Sequence, residues 1–244
     1  RFAASREDFA KDQAIGKYAS EKLHVPKVTG IGEALRGFYA ISERHHGIFL
    51  DELDGEQMRK TLPSLLVTLD EIRGVDLTSS TGYGWWEARG AGNCVTWQEF
   101  LKSGFDDKPG ERTHGWRKKL ESSSTGADPF DKIRSSFEVL ASDMPNERHL
   151  IHNDLLYRNV LVENNEISVV IDWGNSMYGD FLYDMALLIY YWSWFPKWKD
   201  IDIKQEILDH YASIGLELPD IEKRLLCYQI HIGLDGIKYS AFTG

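Results

Sequence analysis

Between Leu150 and Ala186 the chain gathers His152, Asp154, Asn159 and Asp172 around two short β-branched runs. In His152-Asn153-Asp154 the aspartate is placed to accept a proton from an incoming hydroxyl. Asn159, one loop later, offers a neutral oxygen to a metal ion. Leu161-Val162, the turn Glu163-Asn164-Asn165-Glu166 and the run Ile167–Ile171 then read as a hairpin. Such a hairpin returns Asp172 to the side of Asn159, so that two oxygen ligands flank one hard cation such as Mg2+. Taken singly, a His-x-Asp pair is ordinary turn chemistry and an aspartate after a strand is an ordinary cap. The ordered set, with β patterning between its members, points to alignment of a nucleoside triphosphate with an acceptor hydroxyl.

The elements that must hold these groups are legible on either side. Arg1-Phe2 reads as the end of a strand, followed by a helix from about Ser5 to Leu23. Pro26–Ile31 and Arg36–Ile41 read as two strands around a turn at Gly32–Leu35, and Ser42–Gly47 as a connector. Beyond Gly47 the pattern is mainly helical. Met58, Leu62, Leu65, Leu66, Leu69 and Ile72 recur at helical spacing, and Ile133, Phe137 and Leu140 do so again. The segment from about Gly82 to Gly126 is richer in glycine, serine and charge, and reads as loops and short helices beside the acceptor. Tyr190–Trp198 is a dense aromatic cluster whose faces suit sugar rings.

Composition narrows the class. A chain of 244 residues with 42% hydrophobic side chains can build a sizeable core, as one large domain or two modest ones. Its net charge of −10 disfavours nucleic acid as a partner and attracts cationic small molecules. No apolar run is long enough to span a bilayer, and Met185–Trp192 fits a buried helix instead. Cys94 and Cys227 alone argue against a disulfide framework and suit a reducing cytoplasm.

The order His-x-Asp, Asn, Asp-x-Gly is similar to that of protein kinases. Gly179-Asp180-Phe181-Leu182-Tyr183-Asp184-Met185-Ala186 resembles the Gly-Asp-x-x-x-Asp-x-Ala signature of the aminoglycoside phosphotransferase and choline kinase superfamily. Further segments resemble the hygromycin B phosphotransferase group within it. They include Val25–Gly32, Ile41–Gly47, Asp76–Ser79 with Thr81–Gly84, Thr96–Phe100, Glu147–Leu150 and Ile232–Asp235.

That resemblance implies an α+β, protein-kinase-like two-lobe fold. Residues 1–47 would form a truncated N-terminal lobe with its hinge. Residues 48–244 would form a mainly helical C-terminal lobe around a small catalytic β-hairpin. It implies a kinase that moves the γ-phosphoryl group of ATP or GTP to a hydroxyl of a cationic, aminoglycoside-like molecule, with Mg2+, as a cytoplasmic monomer. Asp154 would be the base, His152 would position the loop, Asn159 and Asp172 would hold Mg2+, and Asp184 would brace the loop. Arg1 would touch the phosphates, with Asp12 as its acidic partner. Ile41, Leu161 and Ile171 would wall the purine, and Ser42, Glu43, Arg44 and His45 would supply the hinge. Asn175, Trp194 and Asp235 would meet the acceptor. The strands and phosphate-covering loop that such a fold places before Arg1 are not in the sequence, and related enzymes continue past Gly244, which implies a fragment. Asn153 and the aromatic cluster also suit a choline- or ethanolamine-type kinase. The missing loop equally suits a non-catalytic binding module.

Overall fold

The computed structural model describes residues 1–3 and 5–244. Three small antiparallel sheets converge on the His152–Asp172 segment, and helices pack behind them. The first sheet holds β1 (Phe2–Ala3), β2 (Val28–Ala34) and β3 (Gly37–Ser42) in the order β1-β3-β2, with helix α1 (Arg6–Ile15) packed against β2 and β3. The helix is shorter than the sequence suggests. It gives way at Gly16 to a single 3-10 turn ending at Tyr18, and the Ser20 hydroxyl then accepts the N–H groups of Lys22 and Leu23 to shape the following loop.

The β2–β3 turn also moves, from the expected Gly32–Leu35 to Leu35-Arg36, both left-handed at φ 52° and 63°. Gly32 stays within the strand. A Cβ there would lie 2.6 Å from the Tyr39 ring on the facing strand, so this glycine makes room for an aromatic cover rather than a turn.

Strand β4 (Ile48–Phe49) leads to α2 (Gly55–Arg73), which starts with a reciprocal cap between Asp54 and Gln57. The apolar face of α2 is buried as its spacing requires. Next come β5 (Tyr83–Trp86), β6 (Gly92–Cys94), α3 (Trp97–Ser103), α4 (Trp116–Glu121), α5 (Asp128–Ser142) and β7 (His149–Ile151). On α5 the buried side chains are Phe130, Phe137 and Ala141, whereas Ile133 is exposed. The helix is therefore turned relative to the face the sequence suggested.

The expected hairpin is formed by β8 (Val160–Glu163) and β9 (Glu166–Val170), with Asn164 and Asn165 left-handed in its two-residue turn. Phe49 of β4 pairs with Leu161, completing the sheet β4-β8-β9. Strand β10 (Met177–Gly179) follows and lies between β5 and β7 in a four-stranded sheet, β6-β5-β10-β7, where Met177 faces both Trp85 and Ile151. The loops and short helices expected over Gly82–Gly126 are present, with α3 and α4 among them, and this second sheet adds the strands β5 and β6. Its strands are too short and too rich in glycine to show alternation. Helices α6 (Leu182–Trp192), α7 (Ile203–Ser213) and α8 (Ile221–Thr243) complete the chain, with α4, α5 and α6 packed on α8. Trp97, Trp116, Trp173, Trp198 and Tyr178 are sealed in the core. Cys94 and Cys227 are buried free thiols.

Candidate active site

β7 delivers the loop and Asp184 holds it. Asp184, in the first turn of α6, is buried and accepts the N–H of His152 on one oxygen and that of Asn153 on the other, each at 2.8 Å. Two successive amides reach one carboxylate where Asn153 is left-handed, φ 66°. Burial pushes the Asp184 carboxyl up to about 7, against the two donors and with the charge of Asp154.

The His152 ring is buried with its edge on Trp173, 4.6 Å between centroids. Its Nδ1 accepts the Asp154 N–H at 3.2 Å, and its Nε2 lies 3.0 Å from the Ile171 carbonyl. A carbonyl only accepts, so these partners assign the hydrogen to Nε2. Burial holds the ring down at about 4, so it is neutral near pH 7 and joins the start of the loop to the end of the hairpin.

Asp154 is half-buried, and its Oδ2 accepts from the Asn175 amide at 3.2 Å. Burial raises its carboxyl. The Asn175 bond opposes that rise and the charge of Asp172 adds to it. Asn159 donates its Nδ2 to the Asp154 carbonyl at 2.6 Å, which leaves Oδ1 as its acceptor atom. The Ile171 N–H closes on the Asn159 carbonyl at 2.8 Å, so the hairpin sets Asn159 and Asp172 side by side as its spacing suggested. Asp172 is left-handed, φ 62°, and begins the turn Trp173–Asn175.

Arg1 bridges two acids. One guanidinium nitrogen lies 2.7 Å from Asp12 and the other 2.8 Å from Asp172. The second oxygen of Asp12 accepts the Trp173 N–H at 3.1 Å, so α1 holds both Arg1 and the turn after Asp172. Beside it Lys11, buried, donates to the carbonyls of Gly174 and Ser176 at 2.8 and 2.9 Å and lies over the Trp86 ring. Nothing in the sequence marks Lys11, because a lysine in an amphipathic helix ordinarily faces water.

Two cavities meet at this loop, and Tyr157 lines both. The first, about 500 Å3, is walled by Arg1, Asp12, Asn159 and Asp172 at its polar end. Val28, Ala40, Phe49, Leu161 and Ile171 make an apolar slot, with Ser42, Glu43 and His45 also on its wall. Ile41 and Arg44 fall outside it. Alternation along β3 turns Ala40 and Ser42 inward and leaves Ile41 56% exposed, and Arg44 opens with His24 onto the opposite side of the connector. Ala40 and Val28 could have been found by applying that alternation from Ser42.

The second cavity, about 860 Å3, brings together Asp154, Asn175, Trp194 and Asp235. Trp194 packs edge-on against Tyr191 at 4.9 Å and remains exposed. Asp235 is open to the cavity yet set in a concave wall. Burial by that wall raises its carboxyl, and the charges of Lys238 and Arg112 oppose the rise. A larger apolar trough of about 930 Å3 between α4, α5 and α8 shares Tyr191 and Trp194 with this cavity, but no Asp or Glu among the described residues lines it.

The family model for the phosphotransferase enzyme family matches residues 1–223. The chain belongs to that family. This phosphotransferase is 28% identical to hygromycin-B 4-O-kinase of Escherichia coli over 248 aligned positions, covering 100% of the chain and 68% of the relative. Aminoglycoside phosphotransferase APH(4)-Ia, solved as a thermostable mutant in a ternary complex with AMP-PNP and hygromycin B, superposes with a TM-score of 0.82. Identity is 28%, over 98% of this chain and 77% of that one. The AMP complex of spectinomycin phosphotransferase APH(9)-Ia, 14% identical with a TM-score of 0.63 over 98% and 76% of the two chains, shares the fold.

The protein-kinase-like architecture expected from the motif order is thus the architecture of the molecule. One further support escaped the sequence. The Asp180 carboxylate accepts the Leu182 N–H and is fully enclosed, paired to Arg224 through two bonds of 2.8 and 2.7 Å and to the Tyr228 hydroxyl. Arg224 also reaches Glu147 at 2.9 Å, tying α8 to the residues just before β7. Asp180 was legible as part of the Gly179–Ala186 signature, and its partner on a helix far along the chain was not.

Proposed function

We propose that this chain transfers the γ-phosphoryl group of ATP to a hydroxyl of a hygromycin B-like aminocyclitol glycoside. The observation that carries the reading is the meeting of the two cavities at one loop. Asp154 faces the aromatic-walled cavity, and Asn159 and Asp172 line the adjoining slot. The relatives that hold an ATP analogue or ADP together with hygromycin B support the assignment of one cavity to each substrate.

In this reading the purine occupies the slot between Val28, Ala40, Leu161 and Ile171, beside the connector at Ser42–His45. The phosphates extend toward Arg1, which is held by Asp12. Asp172 and Asn159 offer one carboxylate and one amide oxygen, a donor set suited to Mg2+ completed by phosphate oxygens. When bound, Mg2+ would neutralise charge on the transferring group. Asp154 orients the acceptor hydroxyl and takes its proton, Asn175 fixes that carboxylate, and Trp194 and Asp235 hold the sugar. His152 and Asp184 fix the loop. Catalysis of this type rests on alignment and charge complementarity. Residues 1–47 form the nucleotide side in this reading, and the protein acts as a monomer in the cytoplasm, a reducing compartment that its two free thiols suit.

The test is ADP release and phosphorylated product by mass spectrometry with ATP, Mg2+ and, in separate reactions, hygromycin B, other aminoglycosides and choline. Transfer to hygromycin B, lost in Asp154→Ala, is the expected result. Transfer to choline alone would overturn the acceptor assignment, and failure to bind ATP would overturn the whole reading.

A further inference from the structure

Helix α1 holds the turn after Asp172 with two adjacent residues. Asp12 takes its start, through the Trp173 N–H, and Lys11 takes its end. The Lys11 ammonium donates to the Gly174 carbonyl at 2.8 Å and to the Ser176 carbonyl at 2.9 Å, so it grips the backbone on both sides of Asn175. Lysine is seldom enclosed, because burying its charge is costly unless hydrogen bonds compensate. Lys11 is nonetheless only 5% exposed, and its two bonds are of the charge-assisted kind that fixes geometry.

Trp86, at the end of β5, backs this grip. Its ring lies 4.9 Å from the Lys11 Nζ and stacks on Tyr178 at 5.2 Å, and its indole N–H donates to the Ser176 hydroxyl at 3.0 Å. The same hydroxyl donates to the Trp173 carbonyl at 2.6 Å. Ser176 is sealed in the core, whereas Asn175 beside it is exposed and directs its amide at Asp154 Oδ2, 3.2 Å away. An exposed asparagine turns freely, and a bond of that length weakens with small shifts of the donor. The amide is therefore aimed by the fixed backbone on either side of it.

We propose that Lys11, backed by Trp86, is a positioning residue for phosphoryl transfer: it clamps the carbonyls of Gly174 and Ser176 so that Asn175 holds the Asp154 carboxylate toward the acceptor hydroxyl. The inference rests on the kinase reading above and adds to it a residue outside both cavities. Neither Lys11 nor Trp86 lines the nucleotide slot or the acceptor cavity, so their effect on the reaction passes through the turn. Arg1, Asp12 and Asp172 hold one another through separate bonds, and Asp12 still takes the Trp173 N–H when Lys11 is changed. A misplacement of about 1 Å at a reacting group costs about 100-fold in rate. Loss of the clamp therefore falls on kcat and spares ATP binding.

The experiment measures kcat with hygromycin B at saturating ATP and Mg2+, and ATP affinity by calorimetry, in wild type, Lys11→Met, Asn175→Ala and the double variant. Each single substitution should lower kcat by about 10- to 100-fold and leave ATP affinity within about twofold. The double variant should fall no further than Asn175→Ala alone, within about threefold, because the two residues act in series. Trp86→Phe keeps a ring over Lys11 and removes the N–H to Ser176, so its kcat should fall by about fivefold, the worth of one neutral hydrogen bond. Three results would each overturn the inference and leave the kinase reading intact. They are wild-type kcat in Lys11→Met, losses that multiply in the double variant, and an ATP affinity that falls in step with kcat. Should Lys11→Met not fold, wild-type kcat in Trp86→Phe would overturn it equally. No transfer by wild type would remove the kinase reading itself, and the inference with it.

Discussion

Replacing Asp184 by asparagine separates the loop-bracing role from the chemistry. The carboxylate accepts two buried N–H groups, from His152 and Asn153, one on each oxygen. An asparagine keeps one acceptor and presents an NH2 group to the other donor. One charge-assisted bond, worth about 1.5–3 kcal/mol, is then weakened, and one buried N–H left unsatisfied costs about 1–3 kcal/mol more. The two effects overlap, so the expected loss is roughly 2–5 kcal/mol. For a domain of this size that lowers Tm by about 5–15 °C.

The pH dependence carries a sign. Burial raises the folded pKa from 3.8 to about 7, so between those values the folded chain binds a proton that the unfolded chain lacks. The contribution of Asp184 to stability is full below about pH 4 and declines as pH rises to about 7. The gap between wild type and Asp184→Asn should therefore narrow across that window. Displacing the loop by about 1 Å should also cut kcat by about 100-fold, with the ATP KM changed much less. Thermal unfolding followed by circular dichroism from pH 4 to 8, with phosphoryl transfer at pH 7.5, measures all three. An asparagine variant with wild-type Tm and wild-type kcat would refute the reasoning.

Three further outcomes follow from the same geometry. Asp172→Ala removes the carboxylate that pairs with Arg1 and is proposed to hold Mg2+, and should abolish Mg2+-dependent ATP binding in calorimetry while the chain stays folded. Arg224→Ala leaves the enclosed Asp180 without its cation and should cost about 3–5 kcal/mol, seen as a lowered urea midpoint; a midpoint within error of wild type would contradict that role. Transfer activity should fall on acidification with a midpoint above the ordinary carboxylate range, because Asp154 must be ionised to take a proton and burial raises its carboxyl. An acid limb at or below the ordinary aspartate value, in a pH–kcat profile, would argue against Asp154 as the base.

The sequence by itself determined the chemistry that depends on local spacing. His152, Asp154, Asn159 and Asp172 lie within one hairpin and its approach, so strand alternation and an Asn-Asn turn are enough to bring their backbones together. The amphipathic face of α2 was legible for the same reason, since helical period and burial coincide over many residues. Tertiary structure decided whatever depends on contacts between distant segments. It turned Ala40 rather than Ile41 toward the slot, because β3 is the central strand and its facing is set by its neighbours. It kept Gly32 in a strand under Tyr39, and it buried Lys11 beneath the turn after Asp172. It also paired Asp180 with Arg224 and set Lys238 of α8 on the Gly104 carbonyl. No short window of sequence holds those pairs, because each partner's free energy is defined only when the other is in place.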